Sequence, residues 1–97
     1  MAEDKLDEAA VAEALKGAAG WKRDGGAIVK TIETKDFAAA LALVNAIGAA
    51  AEAADHHPDI LMHGWNKVTV TLSTHSAGGL TALDFDLAKA IDGTVTA

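Results

Sequence analysis

The sequence has no cysteine, no tyrosine, a single proline, and only two tryptophans and two phenylalanines among its 97 residues. Without cysteine there can be no disulfide framework, no thiolate zinc site and no thiol chemistry. Basic residues are also scarce, with eight Lys and Arg against fourteen Asp and Glu and a net charge of −6. Because a surface that neutralises phosphates must be basic, we expect no direct binding of nucleic acid.

Two further absences concern secretion and membranes. The N-terminal residues MAEDKLDEAA lack the basic segment and apolar run of a signal peptide, and we expect no stretch to approach the ~18 apolar residues of a membrane span. We therefore expect a cytoplasmic protein without a membrane partner. The residues that are present, 51% hydrophobic and 23% charged, are typical of an ordinary folded chain, and we assign 1–97 to a single domain.

The first third of the chain predicts a helix followed by a β-hairpin. Good helix formers extend from Asp4, the candidate N-cap, to Lys16. The apolar residues of this helix recur at helical spacing: Val11, Ala14, Leu15 and Ala18. Residues 21–23 and 27–32 then flank Asp24-Gly25, a dipeptide suited to the positive φ angles of a tight turn, which predicts the first two strands.

The second helix carries the strongest periodic signal in the chain. Thr34 is its candidate N-cap. The apolar stripe that we expect to face the core repeats at steps of three and four residues: Phe37, Leu41, Val44, Ile47 and Ala51. Pro58 disfavours helical geometry at the residue before it, so we expect the helix to stop at about His56.

Two more strands and a third helix complete the predicted fold. Residues 60–65 predict a short strand, and we expect the chain to turn near Asn66-Lys67. Residues 68–73 alternate apolar and polar as in a half-buried strand. Thr81 as N-cap and Asp84, in a variant of the capping box, start the last helix. Its hydrophobic staple and core-facing residues are Leu80, Phe85, Ala88 and Ile91. The pattern predicts an α+β fold of order α-β-β-α-β-β-α, a four-stranded antiparallel sheet with three helices on one face.

The stretch DHHPD, residues 55–59, places two histidines side by side where the second helix should end. Histidine is the side chain that most readily gives or takes a proton near neutral pH. Glu52 lies four residues before His56, on the same predicted helix face, so we expect its carboxylate to orient that imidazole. The following proline should turn His57 away from His56. His75, on the polar-face parity of the fourth strand unless that strand ends by Thr74, is the third candidate.

Structural roles compete with the catalytic interpretation of these and neighbouring residues. Asp84 is explained as a capping residue, Trp65 as a cross-strand packing aromatic and His63 as a solvent-facing strand residue. A metal site is the alternative for residues 55–59, here called the histidine corner, because carboxylates stand on both sides of the two histidines. The chain has no HExxH-type helical pair, and we expect no metal.

Together, these residues resemble the motif of the pterin-4a-carbinolamine dehydratase family. The residues that stand at the intervals of that motif are Glu52, His56-His57-Pro58, Trp65, His75 and Asp84. The ending TLSTHSAGGLTALDFDLAKAID and the KDF at the start of the second helix are similar to the same family, and the resemblance extends from Trp21 to Asp92. The predicted order of elements agrees with the family's fold.

The resemblance implies dehydration of a 4a-hydroxytetrahydropterin to quinonoid dihydropterin and water, in the recycling of a tetrahydrobiopterin-type cofactor. His56 and His75 would donate and accept the protons, with the roles of acid and base left open, and His57 would hold the pterin and assist. The residues that would orient the histidines or shape the pocket are Glu52, Trp65 and Asp84. No metal or organic cofactor is implied.

The resemblance also implies partners. Members of the family form dimers or pairs of dimers, so we expect a homodimer or homotetramer besides the pterin substrate. Some members bind other proteins, one stabilising dimers of a transcription factor and others linked to assembly of a carbon-fixing enzyme. A non-enzymatic dimerisation or assembly module with a protein partner is therefore the alternative. The complete set of three histidines favours the enzyme, because an adaptor has no need for proton-transfer groups.

Overall fold

Three helices and four strands follow one another in the order α-β-β-α-β-β-α, which confirms the predicted α+β fold. The computed structural model describes residues 4–96. The elements are α1 (Glu8–Lys16), β1 (Lys22–Asp24), β2 (Ala27–Glu33), α2 (Phe37–Ala54), β3 (Asp59–His63), β4 (Lys67–Leu72), a single 3₁₀ turn (His75–Ala77) and α3 (Ala82–Thr96).

The sheet is antiparallel throughout, with the strands in the order β1-β2-β4-β3. The central pair aligns Ile28 with Leu72 and Ile32 with Val68. Along β4 every second residue is buried and the threonines between them face the other side, as the alternation predicts. The helices contribute to one core on the buried face of the sheet. Its largest fully buried side chains include Ile28, Ile47, Leu72, Leu87 and Ile91.

Aspartates other than the predicted residues cap the first two helices. The carboxylate of Asp7 accepts from the backbone N–H three residues ahead at 2.8 Å, so the predicted cap at Asp4 is wrong. Asp36 makes the same contact at 2.7 Å, so the predicted cap at Thr34 is also wrong. Each of these aspartates directly precedes the first helical residue, where its carboxylate reaches the free N–H groups of the first turn.

The hairpin turns are displaced from their predicted positions. The first hairpin turns at Gly25-Gly26, one residue later than predicted, and Gly25 has a φ of +62°. Glycine at the first position of a two-residue turn is typical of the type II′ hairpin. In the second hairpin β3 ends at His63, which pairs with Lys67. The predicted strand end at Trp65 and the turn placed after it are therefore wrong, and the turn consists of residues 64–66.

The face of α2 that enters the core differs from the predicted stripe. Ile47 and Ala51 are buried as expected, but Phe37 and Leu41 are exposed. The positions buried in their place are Ala40 and Leu43. Nearly every residue in the first two thirds of α2 is apolar, so steps of three and four residues can be drawn along more than one face of this helix.

The same apolar composition makes α2 long and apolar enough to cross a membrane. Its 18 residues have a mean hydropathy of 1.6, and 22% of them are buried in the fold, so the expectation that no stretch approaches a span is wrong. A search for unbroken apolar runs does not find this helix, because Asn45 and Gly48 interrupt its apolar residues. Core helices pass the same test, and a single helix of this kind carries little weight for a membrane location.

The start of α3 is the predicted capping box. The N–H of Thr81 donates to Oδ2 of Asp84 at 3.0 Å, and Oγ1 of Thr81 accepts from the N–H of Leu83 at 3.2 Å. Leu80 and Phe85, the two positions of the hydrophobic staple, are both buried. The predicted core-facing residues of α3 are also confirmed: Phe85, Ala88 and Ile91.

Candidate functional site

The end of α2 turns the chain sharply, and this turn sets the directions of the two adjacent histidines. Asp55 adopts the left-handed conformation with a φ of +50°. Its N–H donates to the carbonyl of Glu52 at 3.2 Å, and the N–H of His56 donates to that of Ala51 at 3.1 Å, which is the Schellman pattern of helix termination. The helix ends at Ala54, before the predicted His56, and both histidines lie outside it.

His56 is held by Asp84, at the start of α3, and the predicted contact with Glu52 is wrong. Nε2 of His56 lies 2.6 Å from Oδ1 of Asp84, and the two side chains are 10% and 0% exposed. The predicted contact assumed that His56 belongs to the same helix as Glu52, and His56 lies outside it. The capping box located Asp84 in the sequence, but spacing gives no signal for a side-chain partner 28 residues away.

Glu52 reaches the histidine corner through His57. Its Oε2 lies 2.5 Å from Nε2 of His57, at the surface, where the two side chains are 78% and 59% exposed. An ion pair in this position is screened by water and contributes little to stability. The corner therefore holds two neighbouring imidazoles, each with its own carboxylate, one pair largely buried and the other in solvent.

The residue before His75 is connected to the same corner through Asp84. Because β4 ends at Leu72, strand parity does not set the direction of His75, which begins the 3₁₀ turn. Oγ1 of Thr74 donates to Oδ2 of Asp84 at 2.9 Å. The residue directly before His75 is therefore bonded to the carboxylate that holds His56. The ring of His75 is exposed and makes no hydrogen bond within residues 4–96.

Trp65 lies at the opposite end of the β3–β4 hairpin from the histidine pair. In the register of the hairpin, Asp59 pairs with Thr71 at the end near the histidines, whereas His63 pairs with Lys67 beside Trp65. Trp65 is 61% exposed with a φ of +58°, so the predicted cross-strand packing is wrong. A bulky residue in the left-handed region is strained, and such positions concentrate at functional sites.

The fourth histidine lies away from the corner, on the open face of the sheet. Nε2 of His63 is 2.7 Å from Oγ1 of Thr69, which is 2.8 Å from Oγ1 of Thr31. His63 is partly buried and hydrogen-bonded, in contrast to the expected solvent-facing residue. Within the range that the structure describes, no three His, Asp or Glu side chains are arranged to hold a metal ion.

Known proteins match this chain along most of its length. A family model described as Pterin 4 alpha carbinolamine dehydratase matches residues 4–94. A protein of Nocardia farcinica (strain IFM 10152), provisionally named a pterin-4-alpha-carbinolamine dehydratase, is 49% identical over 92 residues, 95% of this chain and 96% of its own. A protein of Roseiflexus castenholzii (strain DSM 13941 / HLO8) with the same provisional name is 51% identical over 87 residues, 90% of this chain and 92% of its own.

Solved structures agree with these matches. The crystal structure of a transcriptional coactivator/pterin dehydratase from Brucella melitensis is similar with a TM-score of 0.87 and 35% identity, over 93% of this chain and 97% of that one. A pterin dehydratase-like protein identified as a RuBisCO assembly factor in the alpha-carboxysome has a TM-score of 0.61 at 22% identity, over 75% of this chain and 83% of its own. The second likeness shows a shared fold alone.

Proposed function

This chain belongs to the pterin 4 alpha carbinolamine dehydratase family, and we propose that it dehydrates a 4a-hydroxytetrahydropterin to the quinonoid dihydropterin and water. In this reaction the hydroxyl on C4a takes up a proton and leaves as water, while N5 loses its proton and forms a double bond to C4a. The chemistry needs an acid and a base, and no metal or organic cofactor. The proposal includes a role in recycling a tetrahydrobiopterin-type cofactor.

The observation that carries the proposal is the 2.6 Å contact between Nε2 of His56 and the buried carboxylate of Asp84. A carboxylate on one ring nitrogen keeps the imidazole in one orientation and leaves the other nitrogen for proton transfer. His57 stands next to it and is held by Glu52 at 2.5 Å. Two adjacent imidazoles of this kind suit general acid and base catalysis.

In the proposed mechanism His56 and His75 exchange protons with the substrate, and His57 holds the pterin and assists. An acid and a base on opposite sides of a flat ring contribute typically ~10² to 10⁴ each. Thr74, the residue before His75, bonds to Asp84, which in turn bonds to His56. These contacts support a common site for His56 and His75. We assign the acid and base roles to the set and not to single histidines, because neighbouring groups titrate together.

Stopped-flow absorbance with freshly generated 4a-carbinolamine tests the activity. The protein is expected to accelerate dehydration over the spontaneous reaction, and His57→Ala and His75→Ala are each expected to lower kcat by about 10²-fold or more. His63→Ala is the matched control, since it removes a histidine from the open face of the sheet, and it should keep the full rate. No acceleration by the unsubstituted protein would contradict the enzymatic proposal.

A non-enzymatic dimerisation or assembly module is the second candidate. The structural neighbour described as a transcriptional coactivator/pterin dehydratase favours it. The exposed apolar side chains of Phe37 and Leu41 on α2 also favour it, since apolar surface of this kind often marks protein contacts. Binding of a macromolecular partner through α2, together with a dehydration rate no faster than the spontaneous reaction, would support this candidate over the enzyme.

We also propose that the chain associates with itself as a homodimer or homotetramer. The outer edge of β3 is the end of the sheet, and an edge strand presents backbone N–H and C=O groups that a second copy can pair with. Closed symmetric assemblies are the usual outcome of such pairing.

A further inference from the structure

Asp84 and three residues around it form one connected set of hydrogen bonds. Oγ1 of Thr74 lies 2.9 Å from Oδ2 of Asp84 and 2.9 Å from Oγ1 of Thr81. The N–H of Thr81 donates to the same Oδ2 at 3.0 Å, and the N–H of Leu83 donates to Oγ1 of Thr81 at 3.2 Å. The two threonines and the aspartate are buried, so these bonds do not compete with water.

Counting donors fixes the direction of each bond in this set. An ionised carboxylate has no proton to give and a hydroxyl has one, so the hydroxyl of Thr74 donates to Asp84. That hydroxyl then has no proton left for Thr81, so Thr81 donates to Thr74 and accepts from the N–H of Leu83. The chain of bonds runs one way, from the first turn of α3 to the carboxylate, and bonds aligned in this manner strengthen one another.

The carboxylate at the end of this chain of hydrogen bonds determines which nitrogen of His56 is free. Oδ2 of Asp84 accepts two bonds. Because an ionised carboxylate can only accept, Oδ1 accepts from His56, and Nε2 of that ring carries the hydrogen. In the neutral ring Nδ1 is then the unprotonated nitrogen. Nδ1 makes no hydrogen bond within residues 4–96 and is available to a substrate proton.

We propose that Thr74 is a positioning residue that fixes both proton-transfer histidines of the proposed dehydratase. Its hydroxyl fixes the ring of His56 through Asp84, and its main chain fixes the start of His75. The proposal rests on the proposed function, because it assigns Thr74 a role in that reaction. Thr74 touches neither the substrate nor the reacting atoms, and it acts through the residues that do.

The main chain of Thr74 is anchored well enough for this role. Its N–H donates to the carbonyl of Gly79 at 3.0 Å, and its own carbonyl accepts from the N–H of Ala77 at 3.0 Å and that of Gly79 at 3.3 Å. Thr74 and Gly79 form an isolated antiparallel bridge. The loop that carries His75 is therefore closed on the residue whose side chain binds Asp84.

Three variants separate the hydroxyl from the shape of the side chain. Thr74→Val keeps the volume and removes the donor, and we expect kcat to fall roughly ten- to a hundredfold with KM little changed. Thr74→Ser keeps the hydroxyl and should recover most of the rate. Thr34→Val is the matched control, because it removes a hydroxyl that bonds at 2.9 Å to the carbonyl of Asp36, before α2, and to that of Asn66, in the β3–β4 turn, and it should keep full activity.

The ¹⁵N NMR spectrum of the His56 ring gives a readout that needs no substrate. At a pH where the ring is neutral, we expect protonated Nε2 and bare Nδ1 in the unsubstituted protein, in Thr74→Ser and in Thr34→Val. In Thr74→Val, where Asp84 lacks one donor, we expect a mixture of the two tautomers. The spectrum of the unsubstituted protein shows which ring nitrogen of His56 is protonated. It therefore tests the direction of the hydrogen bond to Asp84 even if Thr74→Val does not fold.

The outcomes distinguish this proposal from the proposed function. Protonated Nδ1 in the unsubstituted protein, or Thr74→Val with an unchanged His56 spectrum and kcat, would overturn the role of Thr74 in an enzyme that still dehydrates the pterin. The expected spectra in a protein that does not accelerate dehydration would instead overturn the catalytic proposal and leave the orientation of His56 intact.

Discussion

At Asp84 three donors meet on a carboxylate with no exposed surface: the hydroxyl of Thr74, the N–H of Thr81 and Nε2 of His56. A charged group is tolerated in the interior only where hydrogen bonds replace the water it has lost. The bond that orients His56 is therefore one that the fold also requires. Substitutions of His56 should affect stability as well as activity, whereas those of the exposed His57 should affect activity alone.

Two substitutions of His56 separate these effects. His56→Ala leaves Oδ1 of Asp84 buried without a donor, so we predict a loss of about 1 to 3 kcal/mol in the free energy of unfolding. His56→Gln keeps an amide N–H at a similar reach and should lose less stability, but it cannot transfer protons, so both variants should lose dehydration. Urea unfolding at one protein concentration and stopped-flow rates measure the two effects. Equal stability of the alanine and glutamine variants would contradict the structural role.

The strained backbone of Trp65 gives a second prediction at the scale of the residue. Glycine has no Cβ atom, so it relieves ~1 to 2 kcal/mol of left-handed strain in the folded protein. The extra freedom of glycine in the unfolded chain lowers the stability by ~0.5 to 1 kcal/mol. We therefore predict that Trp65→Gly unfolds with a free energy about 0.5 to 1 kcal/mol higher than Trp65→Ala, in urea. Alanine is the matched control, because it also removes the ring but keeps the Cβ atom. The reverse order would show that the turn carries no such strain.

At the scale of the element, the ends of the helices depend on single carboxylates. Asp7 accepts from the first turn of α1 at 2.8 Å, whereas Asp4 is exposed and lies outside the helix. We predict that Asp7→Ala lowers the free energy of unfolding by about 1 kcal/mol and that Asp4→Ala changes it by less than about 0.5 kcal/mol. Thermal unfolding by circular dichroism compares the two. Equal effects would mean that α1 begins earlier than the structure places it.

The elements also show which signals in the sequence were sufficient. β4 and the start of α3 follow strict local patterns, alternation and a capping box, and both are where the sequence predicts them. The core face of α2 was not predictable from periodicity, because α2 is apolar on several sides and its packing against α3 and the sheet determines that Ala40 and Leu43 are buried. The histidines could be chosen as candidates from their chemistry. Their partners could not be assigned, since the chain leaves the helix at Asp55 and the contact with Asp84 is long-range.

At the scale of the whole molecule, the two edges of the sheet differ in character. The β1 edge consists of three charged residues, Lys22–Asp24, and Arg23 also bonds to Glu8 of α1. This hydrogen bond holds the pKa of Glu8 below its usual value. The β3 edge has the sequence DILMH with an exposed Leu61 at its centre. Charged edge strands resist pairing, so we expect a second copy to pair with β3 and not with β1.

An antiparallel pair of β3 strands centred on Leu61 predicts the effect of a charge at that position. The substitution Leu61→Lys would place like charges opposite each other across the two-fold axis, which destabilises strand pairing. We predict that it shifts the protein toward the monomer in sedimentation velocity at micromolar concentration. Val29→Lys is the matched control, because it adds a lysine to the same sheet face but on an inner strand. A protein that is already monomeric without substitution would contradict the pairing.

The same pairing would bring Trp65 to a histidine site after all. In an antiparallel pair centred on residue 61, positions equally far before and after the centre face each other. Residues 57 and 65 each lie two positions beyond an end of β3, so we expect Trp65 of the partner subunit to lie near His57. We predict that His57→Ala and Trp65→Ala are each slow in dehydration and that mixing them restores activity as subunits exchange, because a mixed dimer contains one site with both side chains. His57→Ala mixed with His75→Ala is the control, since those residues belong to the same chain's site and no mixed dimer completes one. Mixed dimers of the first pair that form in sedimentation but stay as slow as the separate variants would show that Trp65 serves neither site.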